Sequence, residues 1–396
     1  MVILGEPMEA VKSVAFDFLL PAGSARLPDG FCGAANVISD WVFRGAGTRD
    51  NRQLGDTLDG LGLQRFTSIS SSHLTLGATL EAGNLTETLD LYADIVLRPR
   101  LEAEQFEPAR QLAIDEVKSL DDEPRQKVML KLKEQFYPSP LGRSTVGEIS
   151  EMQAMTTEGA AALVRRHFAP SNAVFSVAGK YDFDQVCSRL ERLFGGTDGR
   201  VLDSLKVGNR GNRCTHIPND GAQVHIGLMT TTARPTDEDH YDARVAISVL
   251  SGGMSARLFT EVREKRGLCY AVGARYHGLK EAAGIMAYAG TTPDKAQETF
   301  DVIVDQFRRL QDGITDEELA RAKVGLKSSL ILQSESSGSR AGSIGNDYSM
   351  LRRVRSLDEI KQRLEETTVE SVVGFLRRNP FKDFTVVTIG PRAIQS

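Results

Sequence analysis

Val14-Ala15-Phe16-Asp17-Phe18-Leu19-Leu20 puts Val14, Phe16, Phe18 and Leu20 on one face of an extended chain, and Val224-His225-Ile226-Gly227-Leu228 puts Val224, Ile226 and Leu228 on one face in the same way. Apolar residues at every second position mark a strand with one side turned to a core. Val224 stands 210 residues after Val14. A second pair of segments keeps nearly the same spacing. The apolar run Ala173-Val174-Phe175-Ser176-Val177-Ala178-Gly179 is echoed by Phe384-Thr385-Val386-Val387-Thr388-Ile389-Gly390, and Gly390 follows Gly179 by 211 residues. Two offsets that agree to within one residue point to an internal duplication.

Each half carries a similar pair of helices between those strands. In the first, Asn84 and Glu87 are spaced as a capping box; Leu85, Leu89, Tyr92 and Val96 follow at helical spacing, and Pro99 stops the run. In the second, Thr292-Pro293 predicts a helix start, with Phe300, Val304, Phe307 and Leu310 as its apolar stripe and Gly313 as its end. Thr315 and Glu318 cap the next helix, which runs through Leu319, Ala322, Leu326 and Leu330. The fold class expected is therefore α+β, with two homologous domains over residues 1–200 and 215–396. Each is a mostly antiparallel sheet with helices packed on one face. A stretch at about 195–221, rich in Gly, Asp, Asn and Arg, reads as the linker.

Bulk properties narrow the function. The chain has 396 residues, 41% apolar and 26% charged, enough for two sizeable cores. A net charge of −5 gives no electrostatic case for nucleic acid. No apolar run is long enough for a membrane span, and the first residues lack the pattern of a signal peptide. The cysteines, at 32, 187, 214 and 269, are scattered and form no Cys-x-x-Cys. Reduced thiols in a cytoplasmic protein are expected, or a periplasmic one if a leader has been removed.

Two segments carry a family resemblance. Gly33-Ala34-Ala35-Asn36-Val37-Ile38-Ser39-Asp40-Trp41-Val42-Phe43-Arg44-Gly45-Ala46 resembles the signature helix of the pitrilysin/insulinase metallopeptidases, Gly-x-Ala-His-x-x-Glu-His-x-Leu-Phe-Lys-Gly-Thr. Residues 250–272, which include Ser255-Ala256-Arg257-Leu258-Phe259-Thr260-Glu261-Val262-Arg263-Glu264-Lys265-Arg266-Gly267-Leu268-Cys269-Tyr270, resemble that family's motif in the C-terminal half almost position for position. The likeness extends over nearly the whole chain, including Pro138 to Gly147. It is nearest to the subgroup of similar length that contains the mitochondrial-processing-peptidase subunits and bacterial relatives. A long glycine-rich insertion of the non-catalytic mitochondrial subunit is missing here.

The resemblance implies a zinc site in which two His are ligands, the Glu between them activates the bound water, and a later Glu is the third ligand. Those positions are Asn36, Ser39, Asp40 and Glu116 in this sequence, so only the last keeps its residue type. A carboxamide is a poor zinc ligand and a serine hydroxyl has no basicity near neutral pH. The four positions are thus vestigial, although Asn36, Asp40 and Glu116 offer an oxygen-only set that a hard cation could use. His73, His167, His216, His225, His240 and His277 are scattered and build no substitute.

The second motif is intact. In the family an Arg and a Tyr seven residues later reach the substrate beside the zinc, and here they are Arg263 and Tyr270. Locally, Ser255 reads as the cap of a helix whose Leu258, Phe259 and Val262 face the core, ended by Gly267. A guanidinium and a phenol can bind a substrate carbonyl and stabilise an oxyanion. The expectation is a non-catalytic subunit of a heterodimeric zinc metalloendopeptidase. It would hold no cofactor itself and would complete the chamber of a homologous zinc-bearing subunit that cleaves unfolded peptides. Rival readings are a structural scaffold, a non-catalytic peptide-binding protein of the same fold, or an enzyme with an unorthodox metal.

Overall fold

The computed structural model describes residues 1–196 and 205–395. Residues 197–204 of the expected linker lie outside these described residues. The first half contains strands β1 (Val2–Pro7), β2 (Ser13–Leu20), the short β3 (Gly45–Ala46) and β4 (Arg49–Asp50), β5 (Gln64–Ile69), β6 (Leu74–Glu81) and β7 (Val174–Gly179). The second half contains β8 (Cys214–Pro218), β9 (Val224–Thr231), β10 (Cys269–Gly278), β11 (Ala283–Thr291) and β12 (Thr385–Gly390).

The two five-stranded sheets have one topology. The first runs β1-β7-β2-β6-β5 and the second β8-β12-β9-β11-β10. Among the described residues only the pairings of β1 with β7 and of β8 with β12 are parallel. The match reaches single residues. Val14 lies opposite Gly179, and a side chain on Gly179 would crowd the Cα of Val14 at 2.7 Å. A side chain on Gly390 would crowd the Cα of Val224 at 3.3 Å. The pairs Val14/Gly179 and Val224/Gly390 are the ones whose spacing betrayed the repeat.

Each sheet buries the face the alternation predicts. Val14, Phe16, Phe18 and Leu20 enter the first core with Tyr92 and Phe175; Phe16 meets Tyr92 edge-on at 4.8 Å. Leu85, Leu89, Tyr92 and Val96 line the buried side of the helix Leu85–Leu97. Val224, Ile226 and Leu228 enter the second core, against Phe300, Val304, Phe307 and Leu310. Burying each such side chain contributes roughly 1.5–3 kcal/mol.

The sheets are covered on their second faces as well, which the expectation of helices on one face did not include. In the first unit the helix Ser337–Leu351 lies on the outer side of β2 and β7. Ala341 packs on Ala15 and Ala178, and a side chain on Gly345 would collide with Ser176 Oγ at 2.7 Å. Arg340 anchors this helix through two bonds to Glu6, at 2.7 and 2.6 Å. In the second unit the helix Pro124–Phe136 plays the same part. Gly227 and Gly284 leave room for Val128, Leu132 and Phe136. The compact units consequently do not divide at the linker alone. The first comprises Met1–Ser119, Arg143–Gly208 and Gln333–Ser349; the second comprises Leu120–Gly142, Asn209–Leu332 and Met350–Ser396. The physical reason is visible in the strands: every residue of β7, β11 and β12 is buried, so each sheet needs a layer on both sides.

Candidate functional site

The helix Ala34–Trp41 starts at Gly33, whose φ of 105° is left-handed and closed to most side chains. Gly33 packs back to back on Gly147, itself at φ 112°; a side chain on Gly147 would meet the Cα of Gly33 at 2.5 Å. This contact joins the signature helix to the segment Pro138 to Gly147. Ala34, Ala35, Val37, Ile38 and Trp41 are buried, and Trp41 Nε1 donates to the carbonyl of Glu102 at 3.0 Å. The helix Ala103–Ser119 packs alongside and turns Ala109, Ala113 and Glu116 toward the same cleft.

The structure brings Asn36 and Glu116 together, as the motif spacing implied. Asn36 Nδ2 donates to Glu116 Oε2 at 2.5 Å and to the carbonyl of Val146 at 3.4 Å. The amide nitrogen therefore faces the carboxylate, and its N–H groups point where a zinc ligand would need a lone pair. Ser39, only 5% exposed, donates its hydroxyl to the carbonyl of Asn36 at 2.8 Å. Asp40 is ion-paired with Arg44 one turn on. These residues do not fit a zinc ion. The oxygen-only set fares no better, because Asp40 is neutralised by Arg44 and Asn36 offers protons. Among the described residues no group of three or more His, Cys, Asp or Glu is placed to hold a metal. The cleft around them has a volume of about 650 Å³; Phe43, Arg65 and Phe66 line its other side, the last two on the edge strand β5.

Arg263 and Tyr270 also come together, in the second unit. Arg263 sits on a π-helical turn, Phe259–Glu264, closed by a bond from Lys265 N to the carbonyl of Thr260 at 2.9 Å. Gly267, at φ 59°, reverses the chain into β10. The ladder between β10 and β11 then skips one residue: Cys269 pairs with Thr291 and Ala271 with Gly290. Tyr270 is the residue left out, and it is 83% exposed. A π turn and a bulge are each devices that re-aim a side chain, and here they meet. The guanidinium of Arg263 lies 5.3 Å from the centre of the Tyr270 ring. Two local expectations are corrected. Among the described residues Ser255 makes no capping bond; a turn bond from Ala256 N to the carbonyl of Gly253 stands in its place. Leu258 and Val262 are buried, but Phe259 is only half-buried, and its ring lies 4.8 Å from the Arg263 guanidinium.

Residues 4–148 match the family model described as insulinase, peptidase family M16, and residues 154–326 match the one described as the peptidase M16 inactive domain. The chain belongs to the M16 peptidase family. Among its relatives, an uncharacterized zinc protease of Mycobacterium tuberculosis is 27% identical over 98% of this chain and 91% of its own. One of Bacillus subtilis is 27% identical over 98% of this chain and 96% of its own. A solved peptidase M16 inactive domain from Pseudomonas fluorescens superposes with a TM-score of 0.90 at 20% identity, covering 100% of this chain and 97% of that one. A chain of Complex III2 from Candida albicans, with Inz-5 bound, gives 0.86 at 16% identity, covering 98% and 93%. At such identities the solved structures speak for the fold alone.

Within this M16 chain Asn36, Ser39, Asp40 and Glu116 fall in the insulinase-type match, and Arg263 and Tyr270 in the inactive-domain match. The motif pointed to Asn36, Ser39, Asp40, Glu116, Arg263 and Tyr270. It did not point to Arg44, to the Val146 carbonyl or to Phe259 as parts of the two sites. Phe259 and Arg44 left a trace, since Phe259 stands one helical turn before Arg263 and Arg44 one turn after Asp40.

Proposed function

We propose that this M16 chain is a non-catalytic subunit of a heterodimeric zinc metalloendopeptidase. The zinc would be held by a homologous partner with the His-x-x-Glu-His motif, and this chain would supply Arg263 and Tyr270 to bind the carbonyl of an unfolded peptide. One contrast carries the reading. The groups at the zinc-motif positions are satisfied within the fold, whereas Arg263 and Tyr270 are held exposed by two local irregularities of the backbone. A peptide would add as a strand to a sheet edge, the mode in which main-chain bonds give affinity with little dependence on sequence. Among the described residues the four cysteines form no disulfide, which supports a cytoplasmic setting.

The scaffold reading draws on the likeness to a chain of Complex III2. Turnover separates the two. The chain alone is expected to leave a quenched-fluorescent peptide intact, and its equimolar mixture with the zinc-motif relative from the same organism to cleave it. A relative that is fully active alone and gains nothing on mixing would favour the scaffold.

A further inference from the structure

Three of the four arginines and lysines on the Arg257–Gly267 segment are held by acids. Arg257 makes two bonds to Glu318, at 2.7 and 2.8 Å. Lys265 and Arg266 share Glu261, each at 2.7 Å. Arg263 is the exception: among the described residues its guanidinium has no ion pair and no hydrogen bond. Its guanidinium is instead flanked by two rings, Phe259 at 4.8 Å and Tyr270 at 5.3 Å. The rings come from different elements, the π turn and the bulged start of β10.

A guanidinium held by ring faces keeps its N–H donors, because cation–π attraction acts on the face of the plane while the donors project from its edge. An acid partner would have consumed two of them. We propose that Phe259 is a positioning residue: its ring fixes the plane of the Arg263 guanidinium against Tyr270, so that the free donors are presented to a neutral backbone carbonyl of the bound peptide. This rests on the proposed subunit role of Arg263. Tyr270 alone is a poor support, since it is mostly exposed and an exposed arginine samples many rotamers. Phe259, half-buried beside Leu258 and Val262, is the fixed side of the stack.

The stack is testable on the chain alone. The Arg263 Nε–Hε resonance, assigned by its loss in Arg263→Ala, is expected to be shifted upfield by the two rings relative to the ordinary arginine range. Phe259→Leu keeps apolar bulk and removes the ring; the resonance should then move toward that range while Tm stays near wild type. Phe259→Tyr should restore the shift. In the mixture with the zinc-motif relative, Phe259→Leu should lower kcat/KM for a quenched-fluorescent peptide roughly two- to fivefold, as expected for one exposed cation–π contact, and Phe259→Tyr should recover it. An Arg263 resonance that Phe259→Leu leaves unmoved overturns the proposal. So does full activity of Phe259→Leu in a mixture that Arg263→Ala inactivates, and in that case the subunit reading survives. Full activity of Arg263→Ala itself removes the subunit reading and with it the carbonyl-binding purpose of the stack.

Discussion

Asp17 sits in the middle of β2, 6% exposed, under the helix Ser337–Leu351. Burial pushes its pKa up to about 7. Across the ladder from it the Ser176 hydroxyl has no hydrogen-bond partner among the described residues, and Arg340, the buried cation of the covering helix, is taken by Glu6. The folded chain therefore keeps a proton that the unfolded chain, with an ordinary carboxylate, gives up near pH 4. The stability this contributes is present below about pH 4 and is lost as pH rises toward 7. Asp17→Asn, neutral throughout, should be more stable than wild type at pH 8 by on the order of 1–4 kcal/mol, with the advantage fading near pH 4. Chemical denaturation of both proteins at pH 4, 6 and 8 checks this, and stability curves that stay parallel across the range would contradict it. His240 and His277 act in the opposite sense. Burial, with nearby cations, lowers them to about 3 and about 4, so their contribution is lost as pH falls below the ordinary histidine range. Comparing variants at matched pH removes that background. At this scale the cluster of Asn36 and Glu116 was readable because a motif fixes residue type and spacing. Its satisfied state was legible only in part: Arg44 stands one turn after Asp40, whereas the Val146 carbonyl reaches Asn36 through tertiary geometry.

The helices differ in how far sequence announces them. Thr315 and Glu318 form the capping box their spacing implies, Thr315 N bonding Glu318 Oε2 at 2.9 Å and Glu318 N bonding Thr315 Oγ1 at 3.1 Å. Asn84 and Glu87 do not. Asn84 ends a 3₁₀ turn and donates its amide to the carbonyl of Leu61 at 3.0 Å. The helix expected at Thr292-Pro293 begins at Ala296, after a turn closed by Lys295 N on the carbonyl of Thr292. The helix Ser337–Leu351 gave no sequence signal, because it docks through Gly338, Ala341, Gly342 and Gly345 rather than through large apolar residues. Gly345→Ala should thus destabilise by about 1–3 kcal/mol through collision with Ser176 and Leu19, despite better helix propensity. Gly325→Ala, in open space on the helix Asp316–Ser334, should stabilise by about 0.5–1 kcal/mol. Thermal or urea melts that move the same way for both would contradict the docking described. The register of the helix Ala34–Trp41 against Glu116 makes a further prediction. Asn36→His, Ser39→Glu and Asp40→His together should let the folded chain take up about one zinc ion, held by three protein ligands with a fourth position open. Loss of Asp40 leaves Arg44 uncompensated beside the metal, so affinity should be modest. A folded triple variant with no zinc by metal analysis would show that Glu116 is not in ligand register.

For the whole molecule, the duplication was legible from four strands, since Val14, Gly179, Val224 and Gly390 occupy matched places in two sheets of one topology. The exchange of covering helices was not, because neither amphipathic spacing nor turn residues record which sheet a helix will cover. What the two units are for rests on Arg263 and Tyr270. Each should matter for turnover and little for folding: removing one oxyanion-type donor costs on the order of 10²–10³ in rate, whereas an exposed side chain contributes under about 0.5 kcal/mol to stability. The most direct measurement is kcat for a quenched-fluorescent peptide, using the zinc-motif relative mixed with wild type, Arg263→Ala or Tyr270→Phe. Near-normal Tm and assembly are expected for both variants, with kcat cut on the order of 10²–10³; full activity from both mixtures would show that Arg263 and Tyr270 do not serve the partner's site.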